Sequence, residues 1–303
     1  MSPKPPYTIW LLHRGATEDA EQQMIVELSL LRPLYSVPDF LWPIWKWFLM
    51  LFNLKRTLPM LDGPCSSKDQ STALAAELNR LLGPQFKCFS LSLFGTGELE
   101  RLCSETQKNS TIFLIPLFLS RSTTLYRLME QTRSALYQLR CELIEAPILD
   151  VQDDLAESFA QQIRAHRLKL DKDLSYKILF LLPIQLEHPK QPEASYLKPY
   201  RQLSHMIQSK LHHSVEYELH TLEHPSLQQA VEQFDGTWIA VGLGWFYEHR
   251  ELKAQIDKLK KITSSSYSIV PPVSQDALFH HLLIRHIKEQ LSSSFTAHTE
   301  TRI

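Results

Sequence analysis

The 303-residue sequence predicts two similar α/β halves, each a four-stranded parallel sheet flanked by helices. Short apolar runs alternate with longer amphipathic stretches, and this strand–helix order repeats in the second half of the chain. Such alternation is typical of parallel sheets whose crossover connections are right-handed. The run at residues 111–118 is apolar almost throughout, as expected for a strand that is buried on both faces.

The elements of the first half follow from these periodicities. Strands are predicted at residues 7–12, 86–93, 111–118 and 142–148. Helices are predicted at residues 17–31, 70–82, 97–106, 122–139 and 152–168. Gly83 and Pro84 give the clearest stop signal, because both residue types commonly follow the end of a helix.

The pattern then starts again. Strands are predicted at residues 176–183, 215–220, 237–242 and 267–270, and helices at residues 196–211, 226–234, 248–261 and 275–291. We place the boundary near residues 170–175. The resulting domains are an N-terminal half at 1–170, a C-terminal half at 171–292 and a polar tail at 293–303 without regular structure. A ligand cleft between the halves is the default expectation.

Composition excludes several classes of protein. The net charge is −1, so no global basic field attracts nucleic acid, and no nucleic-acid partner is expected. The four cysteines include no CxxC motif, and the C-terminal half has none, so we expect no iron–sulfur cluster. Free thiols suit a reducing compartment. The N-terminus lacks a signal peptide pattern, and a cytoplasmic protein is therefore expected.

The most apolar stretch, FLWPIWKWFLMLF at residues 40–52, belongs to a segment that we call the lip (residues 39–57). It is too short to span a bilayer, which takes about 20 residues. Tryptophans beside Lys46, followed by Lys55 and Arg56, are typical of a helix that lies at a membrane surface. A helix buried in the core explains the same composition. Peripheral contact with the inner membrane face and core burial both stay open.

The stretch WIAVGLGWFYEHRE at residues 238–251 combines a strand, a glycine-containing turn and a charged helix start. Ligands of open α/β sheets bind outside the carboxyl ends of the strands, so Glu248, His249 and Glu251 would face the crevice. A polar helix start is the alternative, since glutamate favours the positive end of the helix dipole. His13 follows the first strand in the other half, and a cleft would bring the two junctions together.

Four stretches carry a resemblance to a known family: LLHRGAT at residues 11–17, residues 40–57 of the lip, IFLIPLFLSRSTT at residues 112–124 and GWFYEHRE at residues 244–251. They resemble, in this order, the first strand and turn, the apolar and basic lip, the LPLYPQYSxSTT strand and loop, and the GFxSDHxET motif of the ferrochelatases. That family inserts ferrous iron into protoporphyrin IX. The resemblance covers about residues 7–291.

The resemblance implies two Rossmann-like halves in a chelatase-like fold, with protoporphyrin IX or haem in the cleft. It implies a lyase that requires no cofactor and uses ferrous iron as a substrate. Glu251 and His249 fall on the carboxylate and imidazole of the motif, which implies proton acceptance and metal binding, with Glu248 as a further metal ligand. The side chains expected to contact the macrocycle are His13, Arg14, Phe118, Ser122, Thr123, Trp245 and Phe246.

The sequence departs from the family at the principal histidine, which lies in an SAHGLP-type motif. Pro183 takes that position here and can neither bind a metal nor accept a proton. Glu187 and His188 could replace the histidine only if the loop folds back. Residues 217–225 also lack the QSxxGxxxWL segment of the family.

Three functions therefore stay open. The first is a divergent ferrochelatase. The second is a chelation-deficient paralogue that binds a porphyrin, haem or a partner protein. The third is a scaffold redirected to another small-molecule reaction, in which Arg14, His249 and Glu251 recognise a smaller anionic substrate.

Overall fold

The structure is a computed structural model, and its described residues cover most of both halves. They are residues 7–13, 38–48, 67–92, 97–119, 123–170, 176–182, 193–211, 217–221, 225–232, 234, 236–244, 246–247, 250–262 and 266–300. The predicted helix at residues 17–31 and the loop from Pro183 to His188 lie outside these residues.

The first sheet has four parallel strands: β1 (Tyr7–His13), β2 (Phe86–Ser92), β3 (Thr111–Pro116) and β4 (Glu142–Glu145). Their order across the sheet is β2-β1-β3-β4. Besides a short helix at residues 42–48, the described part of this half contains α1 (Ser67–Leu82), α2 (Glu98–Glu105), α3 (Thr123–Gln138) and α4 (Asp153–Arg167).

The second sheet repeats this arrangement. Its parallel strands are β5 (Tyr176–Leu182), β6 (Tyr217–Thr221), β7 (Thr237–Gly242) and β8 (Ser266–Ile269), in the order β6-β5-β7-β8. Its helices are α5 (Glu193–Lys210), α6 (Pro225–Glu232), α7 (Arg250–Ile262) and α8 (Ala277–Glu300), with a 3-10 turn at Val273–Gln275. In both sheets the first strand pairs with the second and third, so the predicted repeat is confirmed.

The C-terminal helix differs from the sequence-based expectation. We predicted a helix at residues 275–291 and a tail without regular structure, but α8 continues to Glu300. The segment LSSSFTAHTE contains no glycine or proline that would stop a helix. At the other end, the Asp276 Oδ1 atom accepts a hydrogen bond from the Leu278 N–H at 3.2 Å. This is the geometry of an N-cap, and it fixes the start of α8 after the 3-10 turn.

The two sheets share one hydrophobic core. A single buried cluster includes Ile9 of β1 and Phe180 of β5, and α8 packs against both α1 and α4. Polar contacts cross the same region: the His166 Nε2 and Ser268 Oγ atoms lie 2.6 Å apart, and Arg285 pairs with Asp154 at 2.6 Å. The two halves therefore pack directly against each other.

The described part of the lip, residues 39–48, is mostly exposed, and residues 42–48 are helical. Trp42 is buried, whereas Ile44 and Trp47 are 66% and 62% exposed. For these residues the core-helix interpretation is therefore wrong. No helix in the described ranges is both long and apolar enough to cross a membrane.

Candidate active site where the two halves meet

The carboxyl end of β1 and the turn after β7 are in direct contact. His13 is the last residue of β1 and is 2% exposed, and Tyr247 follows β7 in the other half. Their ring centroids lie 4.6 Å apart, and the ring planes are inclined by 59°. The structure thus brings together the two junctions that the sequence singled out.

The buried imidazole of His13 is held from one side. Its Nε2 atom lies 2.7 Å from the Oγ atom of Ser90 on the neighbouring strand β2, while Nδ1 has no hydrogen-bond partner within the described part of the chain. Burial lowers the pKa of His13 from 6.5 to about 3, so the ring is neutral at neutral pH. When Nε2–H donates to Ser90, Nδ1 carries a lone pair that suits a divalent metal ion.

The burial of His13 predicts a loss of stability in acid. The unfolded chain takes up a proton below about pH 6.5, whereas folded His13 resists protonation down to about pH 3, so stability falls as the pH drops through this range. At about pH 5 the expected cost is about 2 kcal/mol. Urea unfolding of metal-free protein at about pH 7 and pH 5 measures it, with the His13→Gln variant as the reference. An equal loss of unfolding free energy in wild type and variant would show that His13 does not contribute to the loss of stability in acid.

Tyr247 presents a second unpaired polar atom at the same place. Its side chain is buried, and its hydroxyl has no hydrogen-bond partner among the residues described. Burial raises the pKa of Tyr247, so the hydroxyl stays protonated and can donate. Leaving a polar group unpaired in the interior costs about 1–3 kcal/mol. Two such groups side by side favour a functional site over a purely structural contact.

The turn after β7 depends on Gly244. This residue has a φ of 86°, in the left-handed region that favours glycine. A Cβ atom here would lie 2.9 Å from Cε1 and 3.1 Å from the hydroxyl oxygen of Tyr200, a buried residue of α5. The preceding Leu243 N–H donates to the Leu181 carbonyl at 2.8 Å. These contacts determine the path from β7 to Tyr247 and α7.

Phe246, which the sequence predicts to contact the substrate, packs in the core beside Tyr247. Its side chain is 3% exposed and stacks on Phe279 with centroids 5.2 Å apart. Its carbonyl accepts a hydrogen bond from Ser274 N–H at 3.1 Å. These contacts place Phe246 in the core, and its contact with a substrate stays a prediction. Phe118 is partly buried against the core of the first half, and its carbonyl accepts from Leu149 N–H at 3.1 Å.

The other site predictions fall at the edge of the described structure. Glu251 lies in the first turn of α7 and Thr123 begins α3, so their backbone positions are known. The predicted site residues outside the described ranges are Arg14, Ser122, Trp245, Glu248 and His249. Among the residues that are described, no group of three or more His, Cys, Asp or Glu side chains could hold a metal ion. Metal binding at His13 would therefore need further ligands from outside this set.

Sequence reasoning missed Ser90 and Tyr247. Ser90 alternates with apolar residues on β2, and its approach to His13 follows from the pairing of β2 with β1. Tyr247 stands inside the GWFYEHRE stretch, but an aromatic residue beside a buried strand resembles core. The position of Tyr247 directly before the charged residues of the turn was the one signal that could have identified it as a site residue.

A cavity of ≈ 330 Å³ opens at the carboxyl ends of β7 and β8. Gln70 of α1 and Phe159 of α4 form its wall on the side of the first half, and Tyr247 and Lys253 belong to the second half. Tyr247 thus contacts both His13 and the cavity. The volume is at the lower end of the range of about 300–1,000 Å³ found for ligand pockets.

Comparison with known proteins finds similar folds but no matching sequence. No family model matches the sequence, and no curated protein matches it. The solved structure of CbiX, described as the terminal enzyme for biosynthesis of siroheme in denitrifying bacteria, is similar with a TM-score of 0.56 and 13% identity. That match covers 93% of this chain and 98% of CbiX.

SirB from Bacillus subtilis with Fe³⁺ is similar with a TM-score of 0.51 and 10% identity, over 96% of this chain and 98% of SirB. A structure described as the sirohydrochlorin chelatase SirB from Bacillus subtilis subspecies spizizenii, in complex with cobalt, has a TM-score of 0.48 and 9% identity. The first two matches run along nearly the whole of each chain. They confirm the predicted fold class, two α/β halves in a chelatase-like arrangement.

Proposed function

We propose that this protein inserts a divalent metal ion into a tetrapyrrole bound between its two halves. The supporting observation is the meeting of the β1 and β7 junctions, where one ring nitrogen of the neutral, buried His13 has no partner among the described residues. The fold likeness to chelatases extends over nearly the whole chain and is consistent with this reaction. Ferrous iron is the proposed metal substrate, and the reaction requires no further cofactor.

Metal insertion divides into two chemical tasks. Two pyrrole N–H protons must leave as the metal arrives, so the site needs a metal donor and a proton acceptor. A neutral imidazole binds ferrous iron, which suits His13 to the first task. Its low pKa makes His13 a weak base, because a general base works best near the ambient pH. Glu251 and His249 stay our candidates for the proton acceptor, with Glu248 as a further metal ligand.

Two tetrapyrroles are candidate substrates. The role of CbiX in siroheme biosynthesis supports sirohydrochlorin, the metal-free form of siroheme. The GWFYEHRE motif and the exposed apolar lip support protoporphyrin IX, which is the more apolar of the two. Anaerobic titration of the purified protein with each compound, followed by addition of ferrous iron, separates them.

We expect a change in the visible spectrum on binding and a second change on metal insertion, with one of the two compounds preferred. If neither compound alters its spectrum at micromolar protein, the proposal is wrong.

Binding without insertion is the second candidate function. It is favoured by Pro183, which stands where ferrochelatases carry their principal histidine. A protein that binds a tetrapyrrole but inserts neither iron nor cobalt would be a carrier or a partner-binding paralogue. The same titration, continued with both metals, identifies this outcome.

We also propose that the protein is cytoplasmic and that its lip contacts a membrane surface, because Ile44 and Trp47 are exposed beside Lys46. Replacing both apolar residues by serine should lower cosedimentation with anionic lipid vesicles at least tenfold, since each large apolar side chain contributes about 1.5–3 kcal/mol on burial. Tyr137→Ser is the control, because Tyr137 is 85% exposed on α3. Equal cosedimentation of all three proteins would contradict membrane contact by the lip.

A further inference from the structure

We propose that the cavity at the ends of β7 and β8 binds a carboxylate carried on a small apolar body, and that Lys253 contacts the carboxylate. The inference rests on the proposed function in one respect: the expected source of the carboxylate is a side arm of the bound tetrapyrrole. A free carboxylic acid has the same chemistry, and the experiment below distinguishes the two sources.

The walls of the cavity suit an apolar body of limited size. Phe159, Val241, Ile269 and Val270 supply apolar surface from both halves. Pro271 and Pro272 add rigid surface, because their rings fix the backbone. At ≈ 330 Å³ the cavity is near the lower limit for ligand pockets. It therefore fits a carboxyalkyl arm better than a whole macrocycle.

The charge at the cavity favours an anion. Lys253 is the sole charged side chain among the described lining residues, and it is exposed. It forms no ion pair with another described residue, unlike Lys260, which lies 3.4 Å from Asp257 on the same helix. Lys253 also lies near the N-terminus of α7, where a cation is opposed by the helix dipole. Helix stability therefore does not explain this lysine, whereas an anionic ligand would complement it.

Two side-chain amides add hydrogen-bond donors to the wall of the cavity. Gln70 lies in the first turn of α1, and Gln275 lies two residues before the start of α8. The N-termini of these two helices already have a carboxylate nearby, from Asp69 and from the N-cap Asp276. The amides can donate to the oxygens of a further carboxylate, while Lys253 supplies the positive charge.

Tyr247 connects the cavity to the candidate active site. Its buried side chain lines the cavity and also contacts His13, and its hydroxyl has no partner among the described residues. A tetrapyrrole whose ring reaches the His13 region could therefore place one arm in the cavity. The arm would orient the ring without taking part in metal insertion.

The test compares Lys253→Gln with Lys261→Gln. Both residues are exposed lysines of α7, but Lys261 lies at the opposite end of the helix, away from the cavity. Titrations use sirohydrochlorin, protoporphyrin IX and, as a free acid, phenylpropionate. Gln275→Glu provides a second variant, because it places a carboxylate at the wall of the cavity and should repel the ligand as well.

If an arm occupies the cavity, Lys253→Gln weakens tetrapyrrole binding about tenfold, which corresponds to about 1.4 kcal/mol, and Lys261→Gln does not. Phenylpropionate then competes with the tetrapyrrole in wild type. If the source is a free acid, phenylpropionate binds wild type, both cavity variants weaken its binding, and tetrapyrrole affinity is unchanged.

The carboxylate site is wrong if neither cavity variant alters the binding of any of the three probes. Failure of the proposed function would look different, because tetrapyrroles would not bind wild type at all while phenylpropionate binding, with its dependence on Lys253, would persist.

Discussion

The His13→Gln variant is expected to insert iron at least about 100-fold more slowly than wild type. Loss of a group that merely supports a metal ligand already costs about 10–100-fold in metal affinity or activity, and His13 is proposed to contact the metal itself. Glutamine keeps a polar side chain that can still hydrogen-bond to Ser90, which lies 2.7 Å from the imidazole. Tetrapyrrole binding should change less than insertion, because His13 is one of seven side chains expected to contact the macrocycle.

The measurement is the initial rate of insertion at saturating tetrapyrrole, with a parallel determination of tetrapyrrole affinity. His281→Gln is the matched control, because His281 is an exposed histidine on α8. An insertion rate for His13→Gln within a few-fold of wild type would show that His13 does not bind the metal during insertion. The proton acceptor and metal ligands would then all have to come from the α7 junction.

The Gly244→Ala variant is expected to lose about 2–5 kcal/mol of unfolding free energy. A left-handed backbone costs about 1–2 kcal/mol for a residue with a Cβ atom. Crowding against the Tyr200 ring adds about 1–3 kcal/mol, because the new Cβ would lie 2.9 Å from Cε1. The free energy can be measured by urea unfolding followed by tryptophan fluorescence.

Gly83→Ala is the control for the backbone contribution. Gly83 has a similar φ of 89°, but nothing lies within 4 Å of the position its Cβ would take. It should therefore show the backbone cost of about 1–2 kcal/mol and no crowding. Equal losses in the two variants would mean that Tyr200 moves aside freely. The path of the turn to Tyr247 would then be less constrained than the structure indicates.

The strands were the part of the fold most accessible from sequence. β7 was predicted with the bounds that the structure has, because a short apolar run rich in branched residues ends at a glycine there. Helix ends were less accurate. The extension of α8 to Glu300 was missed because a polar segment was taken as a tail, although it contains no residue that stops a helix.

The candidate site was accessible in part. His13 stood out because it ends a buried strand, and the carboxyl ends of parallel strands are where ligands bind. The burial of Phe246 against Phe279 could not be read from the sequence, since an aromatic residue after a strand fits either a pocket or a core. The partner of His13 on β2 depended on which strand lies beside β1.

Local patterns of apolar residues, glycines and prolines were sufficient for the repeated strand–helix order and for the positions of both junctions. These patterns act over a few residues, which is the range of strand and helix periodicity. The contact of His13 with Tyr247, the fall in the pKa of His13 and the cavity beside Lys253 came from long-range packing. Each depends on burial between segments far apart in the chain, and burial is a property of the assembled fold.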